Sequence, residues 1–184
     1  AGGVDSILRT LKREGVPATF FLTGRWARQF PTEVARIARR GYVIGNHTDT
    51  HPNVSKLSAA QVRAQLHRTQ KAVRAAAGRG TRPWFRFPYG AHTPRDIQRV
   101  NDLGYACIQW TVDTAGWMGT SQGQSVAGII NRVEAGMRPG AIVLMHAGAN
   151  PHDGSTLDAD ALTTLIAKLT SEGYEFTTLD ALLP

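Results

Sequence analysis

Apolar runs of strand length alternate with stretches of helical periodicity along the whole of the 184-residue sequence, a pattern that predicts βα units around a parallel sheet or barrel. Short, mostly apolar runs predict strands over 18–23, 42–48, 84–87, 106–113, 141–146 and 175–179. Helical spacing predicts helices over 4–14, 32–40, 58–77, 94–103, 125–137 and 158–172. Gly15, Gly41, Gly78, Gly104 and Gly173 stand just past five of these helices, where a left-handed C-cap is expected. Six strands and six helices suggest a barrel of the TIM general type with fewer than eight units, although periodicity alone does not separate that from an open doubly wound sheet. The first element is a helix, so a strand that should precede it is expected to be missing. With no linker, low-complexity tract or internal repeat, residues 1–184 are read as a single domain.

Composition narrows the class. A chain of this length can bury an adequate core without disulfides, and its one cysteine, Cys107, lies in the apolar run Tyr105-Ala106-Cys107-Ile108, where a small buried hydrophobe is expected. The formal charge of +7 comes from 21 Lys+Arg against 14 Asp+Glu. Nucleic acid is not an expected partner: the arginines are spread over several helices, with neither zinc-finger spacing nor an aromatic–glycine RNA-binding signature. A solvated surface accounts for the excess, with an anionic cell wall as a second reading. No stretch approaches the roughly 20 apolar residues of a membrane span, and there is no charged-then-apolar leader. If the protein is exported, its signal is expected to have been removed or to lie outside this sequence.

In both candidate architectures chemistry gathers at the C-terminal ends of the strands. His47 and His51 close the second strand in His47-Thr48-Asp49-Thr50-His51-Pro52; threonines and Pro52 make this a strand entering a loop, and a loop can fold both imidazoles onto one ion. Either histidine alone would be a surface residue; the pair favours metal. Arg86, Pro88, Tyr89 and Gly90 end the third strand, and Asp113 and Trp117 follow the fourth. Leu144-Met145-His146 ends the fifth. Alone, the arginine would be a structural ion pair, the tryptophan core, and the single histidine as much structural as catalytic.

Taken in order, His-Thr-x-x-His, Arg-x-Pro-Tyr, Asp-x-x-x-Trp and Leu-x-His resemble the polysaccharide deacetylases of carbohydrate esterase family 4, the NodB-homology group, over essentially the whole chain. The resemblance implies an α/β fold, a distorted (β/α) barrel of about seven units. It implies a divalent metal, usually zinc, on His47 and His51, with Thr48 steadying their loop. The third ligand and the general base would be aspartates of an upstream Thr-Phe-Asp-Asp-Gly motif that this chain does not contain. A missing N-terminal segment, in the same protein or as a separate piece, is thus an expected partner. Arg86 would hold that base, Tyr89 N–H would receive the oxyanion, and Trp117 and Leu144 would wall the acetyl pocket. His146 would be the general acid, with Arg86 and Asp113 beside it among the catalytic residues. In many members an aspartate precedes the tryptophan and tunes this histidine; here the position is Gly116. The loop 148–156, with His152 and Asp153, is either a substrate-shaping loop or a plain solvated one.

The implied reaction is metal-dependent hydrolysis of an N-acetylated polysaccharide, peptidoglycan or chitin-like, releasing acetate outside the cell or at the cell wall. An amide needs both an activated water and a proton on the leaving nitrogen, and an imidazole such as His146 suits the second task. A catalytically silent carbohydrate-binding domain and an O-deacetylase of acetylxylan are the alternatives.

Overall fold

A computed structural model describes residues 2–182. The chain divides into two compact units: Ala18–Gln109 together with the segment from Thr178 onward, and the segment up to Pro17 together with Trp110–Thr177.

The first unit carries a four-stranded sheet in the order β1 (Thr19–Leu22), β2 (Val43–Asn46), β3 (Trp84–Phe85), β4 (Ala106–Cys107). Every pairing is parallel: Thr19 faces Val43, Asn46 faces Phe85, and Phe85 faces Cys107. Parallel neighbours require crossovers, and helices supply them. These are α2 (Gly24–Gln29) and α3 (Pro31–Arg39) after β1, α4 (Ala59–Ala77) after β2, and α5 (Pro94–Asn101) after β3. The local sequence explains their limits. Ser58 and Gln61 form a reciprocal capping box at the start of α4, Thr93 and Asp96 do the same for α5, and Gly78 ends α4 at φ 72°. Phe85, Phe87, Val54, Val62, Leu66, Val100 and Tyr105 pack as its core.

The second unit pairs β5 (Val112–Asp113) in parallel with β6 (Val143–Leu144) and packs them with α6 (Val126–Gly136) and α7 (Leu157–Ser171). Val112, Ile129, Val133, Ala161, Leu165 and Leu169 form the core there, while α1 (Val4–Glu14) lies against α7.

The glycines behave as expected, with left-handed φ at Gly15, Gly41, Gly78, Gly104 and Gly173. Three elements differ from expectation. The apolar run 106–113 is two strands in two different sheets, because the carbonyls of Ile108 and Gln109 accept from the Arg86 side chain, and Thr111 N–H then begins pairing with Ile142. Residues 175–178 form no strand, and a short 3-10 turn at Leu179–Leu182 follows. Helix α2 was not anticipated, although Thr23 caps it by accepting from Trp26 N–H. Cys107 is only partly buried, and its thiol is pushed up to about 11 by that burial.

Candidate active site

In the four-stranded unit, the loop after β2 brings His47 and His51 together. Their Nε2 atoms lie 3.1 Å apart. Nδ1 of His47 is 2.8 Å from the Arg86 carbonyl. A carbonyl only accepts, so Nδ1 carries the proton, and in the neutral form of the ring the lone pair stands at Nε2. That lone pair is what a metal requires.

The loop holding this pair is strained and heavily braced. Thr48 and His51 sit at φ 63° and 60°, a region unfavourable for a β-branched residue. Thr48 donates its N–H to Asn46 Oδ1 at 3.0 Å and its Oγ1 accepts from His51 N–H at 3.1 Å. Asn46, fully buried, is itself fixed through Nδ2 to Leu66 O, Thr81 and Tyr105. From α4, Gln65 Oε1 accepts from both Asp49 N–H and Thr50 N–H, at 2.7 and 3.0 Å, and its Nε2 donates to Thr50 Oγ1. Neither Asn46 nor Gln65 was singled out from the sequence, because their partners lie far along the chain.

Arg86 is buried and donates to the carbonyls of Ile108 and Gln109, each at 3.3 Å, with its guanidinium 4.2 Å from the Phe21 ring centre. Desolvation by burial pulls it down to about 10. Tyr89 stands at φ 60° in the 3-10 turn Pro88–Gly90; it is 70% exposed, and its ring meets that of His51 edge to face at 4.5 Å.

In the other unit, Asp113 ends β5 and its Oδ1 accepts from Ala115 N–H at 2.8 Å, bracing a residue at φ 56° just before Trp117. Trp117 is half exposed, and its carbonyl accepts from Asn150. Leu144 pairs with Asp113 across the β5–β6 ladder, and its carbonyl accepts from Thr114 N–H. His146 follows β6. Its backbone N–H donates to Asp158 Oδ2 at 2.7 Å, and its ring Nδ1 lies 3.7 Å from the same oxygen. From sequence alone Asp158 is only the first residue of a helix, and nothing in its spacing from His146 marks it otherwise.

Each carboxylate near these residues has a local engagement. Asp49 is buried between Arg28 and Arg68, at 2.7 and 2.9 Å. Asp153 is held well below the usual carboxylate range by hydrogen bonds from Ser155 and Ser121. Among the described residues no group of three or more His, Cys, Asp or Glu side chains could hold a metal ion.

Comparison with known proteins shows the family. The family model for polysaccharide deacetylase matches residues 2–108. A peptidoglycan-N-acetylglucosamine deacetylase of Bacillus cereus is 37% identical over 177 residues, covering 96% of this chain and 62% of the relative. A chitooligosaccharide deacetylase of Sinorhizobium fredii is 31% identical over 175 residues, covering 91% of this chain and 80% of the relative. Among solved structures, a family 4 carbohydrate esterase pseudoenzyme of Bacillus anthracis superposes with a TM-score of 0.87 at 34% identity, over 99% of this chain and 60% of that one. A mutant of that pseudoenzyme has restored enzymatic activity. The chain thus spans a little under two thirds of the length of the Bacillus relative, and it belongs to the polysaccharide deacetylases of carbohydrate esterase family 4.

Proposed function

We propose that the protein is a metal-dependent deacetylase of an N-acetylated polysaccharide, with peptidoglycan N-acetylglucosamine or a chitooligosaccharide as substrate and acetate as product, acting outside the cell or at the cell wall. The convergence of His47 Nε2 and His51 Nε2 carries this reading. Two imidazoles bound to one tetrahedral zinc, each at about 2.0–2.1 Å, have their nitrogens roughly 3.3 Å apart, so the observed 3.1 Å fits a shared ion. His47 and His51 would hold that ion, which when bound supplies a water of lowered pKa and polarises the amide carbonyl. The third ligand and the base would come from carboxylates of a segment beyond these 184 residues, with the buried Arg86 orienting the base. The oxyanion would accept from Tyr89 N–H, Trp117 and Leu144 would enclose the methyl group, and Asp113 would hold the Trp117 turn in shape. His146 would donate a proton to the nitrogen as the C–N bond breaks, so that a neutral amine departs.

A second reading has one observation of its own, the likeness to the Bacillus anthracis pseudoenzyme. In that case the chain would bind acetylated polysaccharide without cleaving it.

The test supplies zinc and the longer protein with N-acetylglucosamine oligomers and, separately, with O-acetylated xylan. Acetate together with new free amines from the first supports the proposal. Acetate only from xylan makes the protein an O-deacetylase, and retention on polysaccharide with no acetate makes it a silent binder.

A further inference from the structure

We infer that Asp158 is the positioning carboxylate for His146, reaching it from the first turn of α7 through space that Gly116 leaves open. This rests on the reading of His146 as proton donor.

Asp158 is 2% exposed. An acidic residue in the first turn of a helix is ordinary, since it favours the positive end of the helix dipole, but that role needs no burial. Here one carboxylate oxygen is satisfied by His146 N–H at 2.7 Å, while Oδ1 is buried with no hydrogen-bond partner among the described residues. The His146 ring presents the complementary deficit, because its Nδ1 is also buried and without a hydrogen-bond partner among the described residues. Leaving a buried polar atom unpaired is costly, so the ring and the carboxylate, each with one such atom, both gain if Nδ1 pairs with this carboxylate, whose nearer oxygen is Oδ2. The separation of Nδ1 and Oδ2 is 3.7 Å, longer than a hydrogen bond and within the looseness that catalytic contacts show before substrate tightens them.

Gly116 supplies the second observation. Its φ is not left-handed, so the backbone there does not demand glycine. A β-carbon at 116 would instead lie 2.5 Å from Asp158 Cγ and 2.6 Å from its Oδ2, closer than nonbonded atoms approach. The carboxylate of Asp158 therefore fills the volume in which a side chain at 116 would begin. A carboxylate in this place fixes Nδ1 as the protonated ring nitrogen and leaves Nε2, on a side chain 39% exposed, as the atom that exchanges protons with the substrate.

Asp158→Asn is the informative variant, since its amide oxygen can still accept from His146 N–H while its NH2 faces Nδ1 and disfavours a proton there. Nitrogen-15 NMR of the His146 ring reads this without turnover: the Nδ1–H signature of the native chain should switch to Nε2–H. In the longer protein kcat should fall about 10²–10⁴-fold with KM little changed. The exchange Gly116→Asp/Asp158→Ala returns a carboxylate from the other side and should restore both the Nδ1–H signature and most of kcat. Unchanged ring signals and near-normal kcat in Asp158→Asn would overturn the inference, as would a failure of the exchange to restore either. A His146→Asn protein that keeps its turnover would overturn the proton-donor reading, a result separable from the tautomer measurement.

Discussion

His47 can serve a metal only in one tautomer, and the Arg86 carbonyl 2.8 Å from its Nδ1 selects it. Metal analysis of the purified chain against the His47→Ala/His51→Ala double variant should show zinc in the first and none above background in the second; equal content would remove the metal from the account. His146 was legible as a strand-end histidine but not with its partner, because Asp158 lies 12 residues away and the partnership depends on a side chain that Gly116 lacks. Replacing His146 with Asn should lower kcat by about 10²–10⁴-fold while leaving KM and metal content close to native, since a proton delivered to nitrogen matters in the transition state alone. Cys107 offers a separate check. Its thiol is moved by burial from 9.0 to about 11, so the folded state favours the neutral form. The stability that this contributes is intact below the lower value and is lost as pH rises towards the upper one, where an unfolded chain has already released its proton. Urea midpoints should therefore fall over that interval in the native chain and fall less in Cys107→Ala.

Helix α4 and the loop after β2 act as one piece. Gln65 projects from the helix and caps two backbone N–H groups of the loop, and Asn46 ties the end of β2 to Leu66 on the same helix. These contacts hold Thr48 and His51 at positive φ, where isolated residues would relax by about 1–3 kcal/mol each. Gln65→Leu keeps the side-chain size but leaves Asp49 N–H and Thr50 N–H without their acceptor. It should destabilise the chain by about 2–3 kcal/mol in urea unfolding and weaken zinc binding; an unchanged midpoint would show that the loop is held by other means. At this scale the sequence was informative wherever the signals were local. Helix periodicities and the glycine C-caps specified α1 and α3–α7 to within a few residues. It was misleading where the deciding contact was remote. Nothing in the apolar run at 106–113 shows that Arg86 will take two of its carbonyls and divide it between two sheets. Residues 175–178 have strand-like composition, but composition does not supply a neighbouring strand to pair with.

Across the molecule, the order of motifs along the chain identified the family more directly than any element did, since each motif follows a predicted strand and only together do they match the family's pattern. The positive charge contributes less: many arginines have local structural duties, as with Arg28 and Arg68 on Asp49, Arg36 on Glu33 and Arg99 on Asp96. No described helix is long and apolar enough to cross a membrane. Two carboxylates near the site are engaged elsewhere, Asp49 by two arginines and Asp153 by serine hydrogen bonds, so neither is suited to take a proton from water. The isolated chain should accordingly turn over about 10²–10⁴-fold more slowly than a protein that also carries the base. The most direct measurement is acetate release from N-acetylglucosamine oligomers in the presence of zinc, comparing the isolated chain with the longer protein. Rapid release, with matching free amine, is expected from the longer protein and little from the chain alone. No release from either, with the oligomer bound, would contradict this expectation, and full release from the isolated chain would show that a carboxylate within these 184 residues supplies the base.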